Sequence, residues 1–309
     1  MSTITKGKIL IICGPTASGK SDLAIRLAHN LDAEIVNADS MQMYRGLDIG
    51  TAKPSPAQQV DVPHHLIDVA DPDQPLSAAD FMGLADTAIS DILSRGKRVI
   101  VVGGTGLYIR SLVYGLVDSP SGAGEIRQAL HAEADRIGND AMLERLRTVD
   151  PVLAADMHPN NLVRIIRALE VYELTGTPLS SHQKRHGFTT KRYETLQIAI
   201  SVERAVLYKR INERVDRMLN DGLVKEVADL LDAGYGHDLK PMRSIGYKET
   251  AAFLRGEHSC AENTRLIQQN TRHYAKRQCT WFKADQDILW FEYPDKFGTI
   301  LTNVIEFFE

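Results

Sequence analysis

The chain has 309 residues, a length that suggests a core domain with an added unit. Of these residues 43% are hydrophobic and 25% charged, which is ordinary for a globular protein. It contains no run of about eighteen apolar residues and no basic leader with a cleavage site, so we expect neither a membrane span nor a secretory signal. Its net charge of −4 argues weakly against a nucleic-acid partner. Its three cysteines lie far apart in the chain, which argues against a disulfide framework or a zinc site and fits a reducing cytoplasm.

The first predicted element is an apolar strand over 8–13, which leads into Gly14-Pro15-Thr16-Ala17-Ser18-Gly19-Lys20-Ser21, and a helical pattern over 22–31 follows. Two glycines four residues apart, followed by Lys and Ser between a strand and a helix, are typical of a phosphate-binding P-loop. Backbone N–H groups and the helix N-terminus would attract phosphate oxygens. Lys20 adds a full charge, and the Ser21 hydroxyl can hold Mg²⁺. The sequence therefore predicts a site for a di- or triphosphate, with Mg²⁺ as cofactor.

Three near-continuous apolar strands, over 8–13, 34–38 and 98–102, alternate with helical patterns in the first part of the chain. This alternation predicts an α/β fold: a P-loop NTPase-like, doubly wound parallel sheet. Ligands of such sheets bind at the carboxyl ends of the strands. We therefore expect the loops after these three strands to converge on one crevice.

Two of those loops carry candidate catalytic groups. Asp39 follows the second strand and could act as a general base, hold Mg²⁺ through water, or cap the following turn. The third strand ends in Gly103-Gly104-Thr105 and lacks the acidic residue with which a typical P-loop NTPase helps to hold Mg²⁺, which argues against routine ATP hydrolysis. Thr105 could donate a hydrogen bond to a phosphate or leaving-group oxygen, or cap a helix.

The segment 119–193 breaks the alternation, because it shows helical patterns over 125–137, 140–149 and 162–174 without strands between them. We predict the first part of the P-loop core over 1–118, an all-helical insertion over 119–193, and the second part of the core over 194–309. In that second part we expect a strand over 196–202, a long helical pattern over 203–232 that Gly222 could interrupt, a helix over 261–283 and a strand over 288–293.

Both long helical patterns of the last part carry basic rows. Arg210, Arg214 and Arg217 fall on one face, and one of them could reach the crevice and stabilise a departing phosphate. The later helix has a polar, mostly basic row made of Arg265, Gln269, Arg272, Lys276 and Lys283. Roughly opposite stand four residues that we expect in the core: Ile267, Tyr274, Trp281 and Phe282. Such rows indicate either a footprint for a polyanion or a solvated face, and the spacing does not decide between them.

Beyond the P-loop, six segments in the same order along the chain resemble the tRNA dimethylallyltransferases, the isopentenyl transferases that modify adenosine 37. They are NADSMQMYRGLDIGTAKP (37–54), VPHHLIDVADP (62–72), VVGGTGLYIRSL (101–112), RIIRALEVYELTGTP (164–178), RSIGYKE (243–249) and TRHYAKRQCTWF (271–282). The resemblance covers nearly the whole chain and is to the bacterial form.

The resemblance implies transfer of a dimethylallyl group from dimethylallyl diphosphate to N6 of adenosine 37, in tRNAs that read codons beginning with U. The products would be N6-isopentenyladenosine and pyrophosphate. Residues 14–21 would bind the diphosphate. Asp39 would be the general base, Thr105 would contact the pyrophosphate bridge, and Arg214 would lie near the leaving group.

The resemblance also implies that the protein binds the tRNA anticodon stem-loop, with the insertion contributing to the grip. Independently of the resemblance, we expect a cytoplasmic monomer without a membrane partner. Family contacts with tRNA map to two segments and one further arginine. The first segment comprises Asp39, Ser40, Met41 and Gln42, the second comprises Val163, Arg164, Ile165, Ile166 and Arg167, and the single arginine is Arg127. Thr105 belongs to the same set, and the basic row adds Arg272 and Lys276. Because Ile165 and Ile166 are apolar, we expect Arg164 and Arg167 to be the polar readers.

Three alternatives stay open from the residues alone. A small-molecule P-loop kinase would use Asp39 as base towards a hydroxyl, but the missing acid after the third strand and the basic helices argue against it. A noncatalytic RNA-binding protein would not need an intact Lys20-Ser21 pair. An adenylate isopentenyltransferase would use free AMP, whereas the insertion and the basic rows favour tRNA.

Overall fold

The computed structural model describes residues 7–117 and 124–309. They form two compact units: residues up to Val113 together with Lys191–Glu309, and Tyr114–Thr190. The expected boundary between 118 and 119 lies outside the described residues. The second division falls at 190/191, slightly before the expected 193/194.

The first unit is built on a sheet of six strands within the described residues. The strands are β1 (Lys8–Cys13), β2 (Ala33–Asn37), β3 (His64–His65), β4 (Arg98–Val102), β5 (Glu194–Ser201) and β6 (Ile288–Glu292). Their order is β3-β2-β4-β1-β5-β6, and every pair of neighbours is parallel. β1 pairs with β4 through Leu10 opposite Ile100, and with β5 through Cys13 opposite Ala199. The predicted parallel α/β sheet is confirmed.

Fourteen α-helices are found in the described residues. They are α1 (Lys20–Leu31), α2 (Pro56–Asp61), α3 (Ala78–Ser94), α4 (Gly106–Tyr114), α5 (Gly124–Ile137), α6 (Asn139–Val149), α7 (Pro151–Ala154), α8 (Leu162–Thr175), α9 (Leu179–His186), α10 (Arg204–Asn220), α11 (Leu223–Asp232), α12 (Tyr247–Leu254), α13 (Cys260–Lys283) and α14 (Phe297–Phe308). A single 3₁₀ turn, Pro241–Arg243, precedes α12.

The sequence patterns predict the long elements, and the expected break at Gly222 is confirmed because it separates α10 from α11. They do not identify α2, α4, α7, α9, α12, α14 or β3. Most of these are too short for a periodic pattern, and local capping defines them instead. In α2, for example, the Ser55 hydroxyl accepts from the Gln58 backbone N–H, and the Gln58 side chain accepts from the Ser55 N–H.

One apolar core lies between the sheet and the helices α1 and α14. The inward side chains of β1 and β4, such as Ile12 and Ile100, pack there against Leu23 of α1 and Ile300 of α14. Removing these apolar surfaces from water stabilises the sheet. The same packing holds α1, the helix that follows the P-loop, against the sheet.

A second core joins the loop after β2 to the helices α10, α11, α12 and α13. Tyr44 and Leu47 of that loop pack with Leu223, Tyr247 and Ile267. The expected burial of Ile267 and Phe282 is confirmed. For Trp281 it is wrong, because the indole lies over Gly106 at the surface and stays 44% exposed.

The second unit is entirely helical in its described residues. Met142, Leu146, Ile165 and Leu169 belong to its own apolar core. In both units, none of the described helices has the length and apolar character needed to cross a membrane. Cys13, Cys260 and Cys279 are free thiols.

Candidate active site

The P-loop connects β1 to α1 as the sequence predicts. Lys20 is the first residue of α1, and its Nζ donates to the Pro15 carbonyl oxygen at 2.7 Å. Burial lowers the pKa of Lys20 to about 8, and nearby Asp39 acts against this shift. The Ser18 side chain is buried, and its hydroxyl has no hydrogen-bond partner within the described part of the chain. The half-buried Lys20 lines one crevice together with Thr16 and Ser21 of the same loop.

Asp39 lies just beyond the carboxyl end of β2. The Asn37 side chain fixes its backbone, because Asn37 Nδ2 donates to the Asp39 carbonyl and Asn37 Oδ1 accepts from the Asp39 N–H, both at 3.0 Å. Asp39 Oδ1 accepts from the Met41 N–H, also at 3.0 Å. The carboxylate therefore caps the following turn with one oxygen. Its other oxygen has no hydrogen-bond partner in 7–117 or 124–309, so it can serve as a proton acceptor.

Thr105 connects the loop after β4 to the segment that follows Asp39. Its Oγ1 accepts from the Ser40 N–H at 3.1 Å and donates to the Ser40 Oγ at 3.3 Å. Its carbonyl accepts the first helical hydrogen bonds of α4, from Tyr108 and Ile109. The main chain of Thr105 therefore begins the helix, while its side chain holds Ser40 in place.

Arg214 is the member of its basic row that enters the crevice. Its Nη2 donates to the Thr51 carbonyl oxygen at 3.2 Å. Burial lowers the pKa of Arg214, and Asp39 again opposes the shift. Two partly desolvated cations, Lys20 and Arg214, thus lie close to one carboxylate, an arrangement suited to a multiply charged anion.

Arg214 lines four cavities, and three of them also contain P-loop residues or Asp39. The smallest, of about 80 Å³, is lined by Thr16, Lys20, Asp39 and Gly104, so the expected convergence of three strand ends on one crevice is confirmed. A second cavity of about 480 Å³ lies outside the P-loop and is lined by Lys20, Ser21, Arg210, Arg214 and Arg217. A third, of about 430 Å³, lies on the Asp39 side.

Gln278 of α13 links two of the loops. It belongs to the segment 271–282, which carries the family resemblance, but no periodic or spacing pattern indicates its role. Its Oε1 accepts from the Thr16 N–H of the P-loop, and its Nε2 donates to the Gly104 carbonyl oxygen, both at 2.9 Å. A Cβ on Gly104 would lie 2.2 Å from Nε2, so any other residue there would displace the Gln278 amide from this position. A glutamine within a basic helix looks like a solvated residue, and only the fold turns it inwards.

The comparisons with known proteins agree with this geometry. The family model described as IPP transferase matches residues 42–285, and one described as isopentenyl transferase matches residues 7–71. The chain belongs to the IPP transferase family. The resemblance to the tRNA dimethylallyltransferases is confirmed by relatives of that name, which match along nearly the whole chain.

Relatives of this IPP transferase match it along nearly its whole length. The tRNA dimethylallyltransferase 1 of Pelobacter propionicus is 66% identical over 98% of both chains, and the tRNA dimethylallyltransferase of Geobacter metallireducens is 57% identical with the same coverage. A crystal structure of the tRNA isopentenylpyrophosphate transferase of Bacillus halodurans is 38% identical, covers 97% of this chain and 96% of its own, and has a TM-score of 0.72.

A structure of a eukaryotic dimethylallyltransferase acting on tRNA is also similar. It is 28% identical to this chain, with a TM-score of 0.80, and the match covers 97% of this chain and 78% of the other. The P-loop NTPase-like fold expected from the sequence is confirmed by these neighbours.

In the second unit of this IPP transferase, the segment 163–167 divides by burial. Val163 is 78% exposed and Arg164 is exposed as well. Ile165 and Ile166 are 0% and 1% exposed, because they belong to the core of the unit. Their side chains are therefore not accessible for contact with tRNA, in agreement with the expectation that the arginines are the polar readers, and contact of this segment with tRNA stays a prediction.

Arg127 and Arg167 share one buried carboxylate. Arg127 Nη2 and Arg167 Nη1 donate to Glu170 Oε2 at 2.8 and 2.7 Å. Burial by itself would raise the pKa of Glu170, but the two arginine hydrogen bonds outweigh it and the pKa is lowered. The ion pairs hold the two guanidinium groups side by side at the surface of this unit.

The basic row of α13 is also divided. Arg272 Nη1 donates to Asn212 Oδ1 of α10 at 2.7 Å, whereas Lys276 is exposed. Tyr274, expected in the core, is half-buried and lines the cavities on both sides of Asp39. Burial, followed by the proximity of Asp39, raises the pKa of Tyr274, so its hydroxyl keeps its proton at neutral pH.

The third cavity also contains basic residues to which the sequence reasoning assigns no role. They are Lys240, Arg243, Lys248 and Arg277. Three of them belong to or flank the RSIGYKE segment, which carries the family resemblance but shows no periodic or spacing signal for chemistry. Their common cavity appears only when the 3₁₀ turn, α12 and α13 pack together.

Proposed function

We propose that this IPP transferase moves a dimethylallyl group from dimethylallyl diphosphate to N6 of adenosine 37 in tRNAs that read codons beginning with U. The observation that carries the proposal is that Asp39, Lys20 and Arg214 line the same small cavity, and that Asp39 also lines the third cavity. The 66% identity to a relative named tRNA dimethylallyltransferase supports it.

The chemistry needs charge stabilisation at the diphosphate end. As the allylic C–O bond breaks, its electron pair leaves with pyrophosphate and positive charge develops on the prenyl carbon. The residues of the P-loop, Gly14 to Ser21, would bind the diphosphate, with Lys20 and Arg214 stabilising the leaving anion. Thr105 would contact the bridging oxygen. Arg210 and Arg217 line the second cavity and would favour approach of an anion from that side.

The other half of the reaction occurs at adenine. The lone pair of N6 forms the new N–C bond with the prenyl carbon, and N6 must lose one proton. Asp39 would accept that proton through the oxygen that does not cap the turn. The products are then N6-isopentenyladenosine and pyrophosphate, with the proton on Asp39 returned to solvent.

Mg²⁺ is the expected cofactor, and the chain offers few ligands for it. Ser21 lines both cavities around the P-loop and would contribute its hydroxyl, and Asp39 could act through water. The described residues contain no group of three or more His, Cys, Asp or Glu side chains able to hold a metal ion. Diphosphate oxygens would therefore supply much of the coordination, and the ion would neutralise part of their charge.

The tRNA would present an adenine that has left its stack, at a cost of a few kcal/mol. The third cavity, lined by Asp39, Ser40 and Met41 together with basic residues, has the character of a path for a single-stranded nucleotide. Gln42 lines the smallest cavity. We expect Arg164, Val163, Arg127 and Arg167 of the second unit, and Arg272 and Lys276 of α13, to contact the anticodon stem-loop. We also expect a monomer that works in the cytoplasm.

The test is incubation of the purified protein with labelled dimethylallyl diphosphate and unmodified tRNA. We expect label in adenosine 37 and release of pyrophosphate. Parallel reactions offer AMP as acceptor, and ATP with small alcohols in place of the prenyl donor. Label on AMP but not on tRNA would favour the adenylate-modifying alternative, and phosphorylation of an alcohol would overturn the proposal.

A further inference from the structure

A carboxylate outside the three cavities holds the loop that contacts Arg214. Glu226 of α11 accepts three consecutive backbone N–H groups: Oε2 from Asp48 at 3.1 Å and Ile49 at 2.7 Å, and Oε1 from Gly50 at 3.1 Å. The Tyr247 hydroxyl of α12 also donates to Oε1. Charge-assisted hydrogen bonds of this kind are among the stronger ones in proteins.

The loop is held closely against α12 at the same point. A Cβ on Gly50 would lie 2.4 Å from the Tyr247 ring, so the backbone of the loop packs directly on the aromatic face. Tyr247 is itself fully buried. Glu226 and Tyr247 together therefore leave the chain little freedom at Gly50.

The next residue is the one that contacts the catalytic arginine. The Thr51 carbonyl oxygen accepts from Arg214 Nη2, and it also accepts from Gln42 Nε2 at 3.2 Å. The path from Glu226 to Arg214 is therefore short: carboxylate, three amides, one carbonyl, one guanidinium. Glu226 does not line the cavities that Arg214 lines, so it acts on the site through the loop.

We propose that Glu226 is a positioning residue for the transfer reaction, which seats the loop 48–51 so that the Thr51 carbonyl directs Arg214 towards the leaving diphosphate. This inference rests on the proposed function, because it takes Arg214 as the group that stabilises pyrophosphate. If the experiments show that Glu226 has no positioning role, the role proposed for Arg214 still stands.

The first experiment uses Glu226→Gln, which keeps size and shape but replaces one accepting oxygen with an NH₂ that faces backbone donors. We expect kcat/KM for dimethylallyl diphosphate to fall by about tenfold, as expected for a displaced charge-stabilising group, while tRNA affinity stays unchanged. Asp229→Asn is the matched control, because Asp229 lies on the same helix and pairs with Lys225 in solvent. It should change kcat/KM by less than about twofold.

The deciding experiment is a double-mutant cycle with Arg214→Gln. If Glu226 acts through Arg214, Glu226→Gln should lower kcat/KM by less than about twofold further in the Arg214→Gln background. Two independent losses that multiply would mean that Glu226 only stabilises the fold, and would overturn the inference. Unchanged kinetics of Glu226→Gln would overturn it too.

Two further measurements separate the possible failures. Should Glu226→Gln fail to fold, Glu226→Asp, which keeps the charge on a shorter side chain, replaces it in the same cycle with the same expected outcomes. Calorimetric binding of inorganic pyrophosphate does not depend on which acceptor is prenylated. Weaker pyrophosphate binding by the Glu226 variant therefore supports the inference even where wild-type protein fails to modify tRNA, a result that would reject only the proposed function.

Discussion

Two cations and one carboxylate share the crevice at the carboxyl ends of β1, β2 and β4. Burial lowers the pKa of both Lys20 and Arg214, and Asp39 opposes the shift in each case. Removing a cation from water is unfavourable unless an anion compensates it. A single carboxylate compensates only part of two positive charges, so this group of residues favours a bound diphosphate.

The first residue-scale prediction concerns Asp39. We expect Asp39→Ala to lower kcat by about 10²- to 10⁴-fold, the usual contribution of a general base, and to leave tRNA binding largely intact. Turnover measured at saturating substrates and tRNA affinity measured by filter binding test this separately. Equal losses of binding and turnover would contradict the assignment of Asp39 as base.

The second concerns the pH dependence of diphosphate binding. The pKa of Lys20 is lowered to about 8 by burial, so the free protein loses this charge as the pH rises through that value. A bound diphosphate favours the protonated lysine, so we expect the dissociation constant to rise by up to about tenfold per pH unit above pH 8. Lys20→Arg, whose charge does not titrate in this range, should bind with a flatter profile. Identical profiles for both proteins would refute this explanation.

At the scale of elements, α13 has two functional faces. Its inner face carries Gln278, which connects the P-loop to the loop after β4, and Tyr274, which lines the cavities. Its outer face carries exposed Lys276. One helix can therefore shape the diphosphate site and also offer charge to an RNA backbone, because side chains 100° apart per residue reach both sides.

The helix α8 gives the corresponding prediction for the second unit. Glu170→Gln weakens the anchor of Arg127 and Arg167, and a hydrogen bond contributes about 0.5–1.5 kcal/mol. We therefore expect KM for tRNA to rise by about threefold to tenfold, with KM for the diphosphate unchanged. Glu144→Gln, which affects an exposed pair with Arg147 on α6, is the control. A change in the diphosphate KM alone would argue against this role.

At the scale of the whole molecule, net charge and local charge point in different directions. The chain carries −4 overall, yet Arg210, Arg214 and Arg217 share the cavity outside the P-loop, and four more basic residues share the cavity beside Asp39. A polyanion responds to the local field more than to the total charge. An acidic protein can therefore bind tRNA through a few basic regions.

Salt dependence tests that view. We expect the logarithm of the association constant for tRNA to fall linearly with the logarithm of the salt concentration, with a slope of about −0.7 to −0.9 for each phosphate neutralised. Lys276→Ala should reduce the slope by about 1. Lys225→Ala should not change it, because Asp229 already neutralises Lys225. A slope near zero would show that phosphate contacts do not drive binding.

The P-loop, the buried strands and the position of two candidate catalytic residues could be predicted from the sequence, because each depends on residues that are close together in the chain. The P-loop depends on a few neighbouring backbone amides, Lys20 and Ser21, so its pattern survives in a short segment. The buried strands are visible as apolar runs. Asp39 and Thr105 come just after two of these runs, so their place at the carboxyl edge of the sheet could be predicted. The parallel sheet and the crevice could be predicted for that reason.

The rest was decided by tertiary packing, because it depends on residues far apart in the chain. Thr16 and Gln278 form a hydrogen bond across 262 positions, and Glu226 reaches the loop after β2 across 176 to 178. Periodicity placed three arginines on one face, but only the packing of α10 beside the P-loop selects Arg214. Packing within the second unit buries Ile165 and Ile166, because burial depends on the neighbours that a residue acquires on folding.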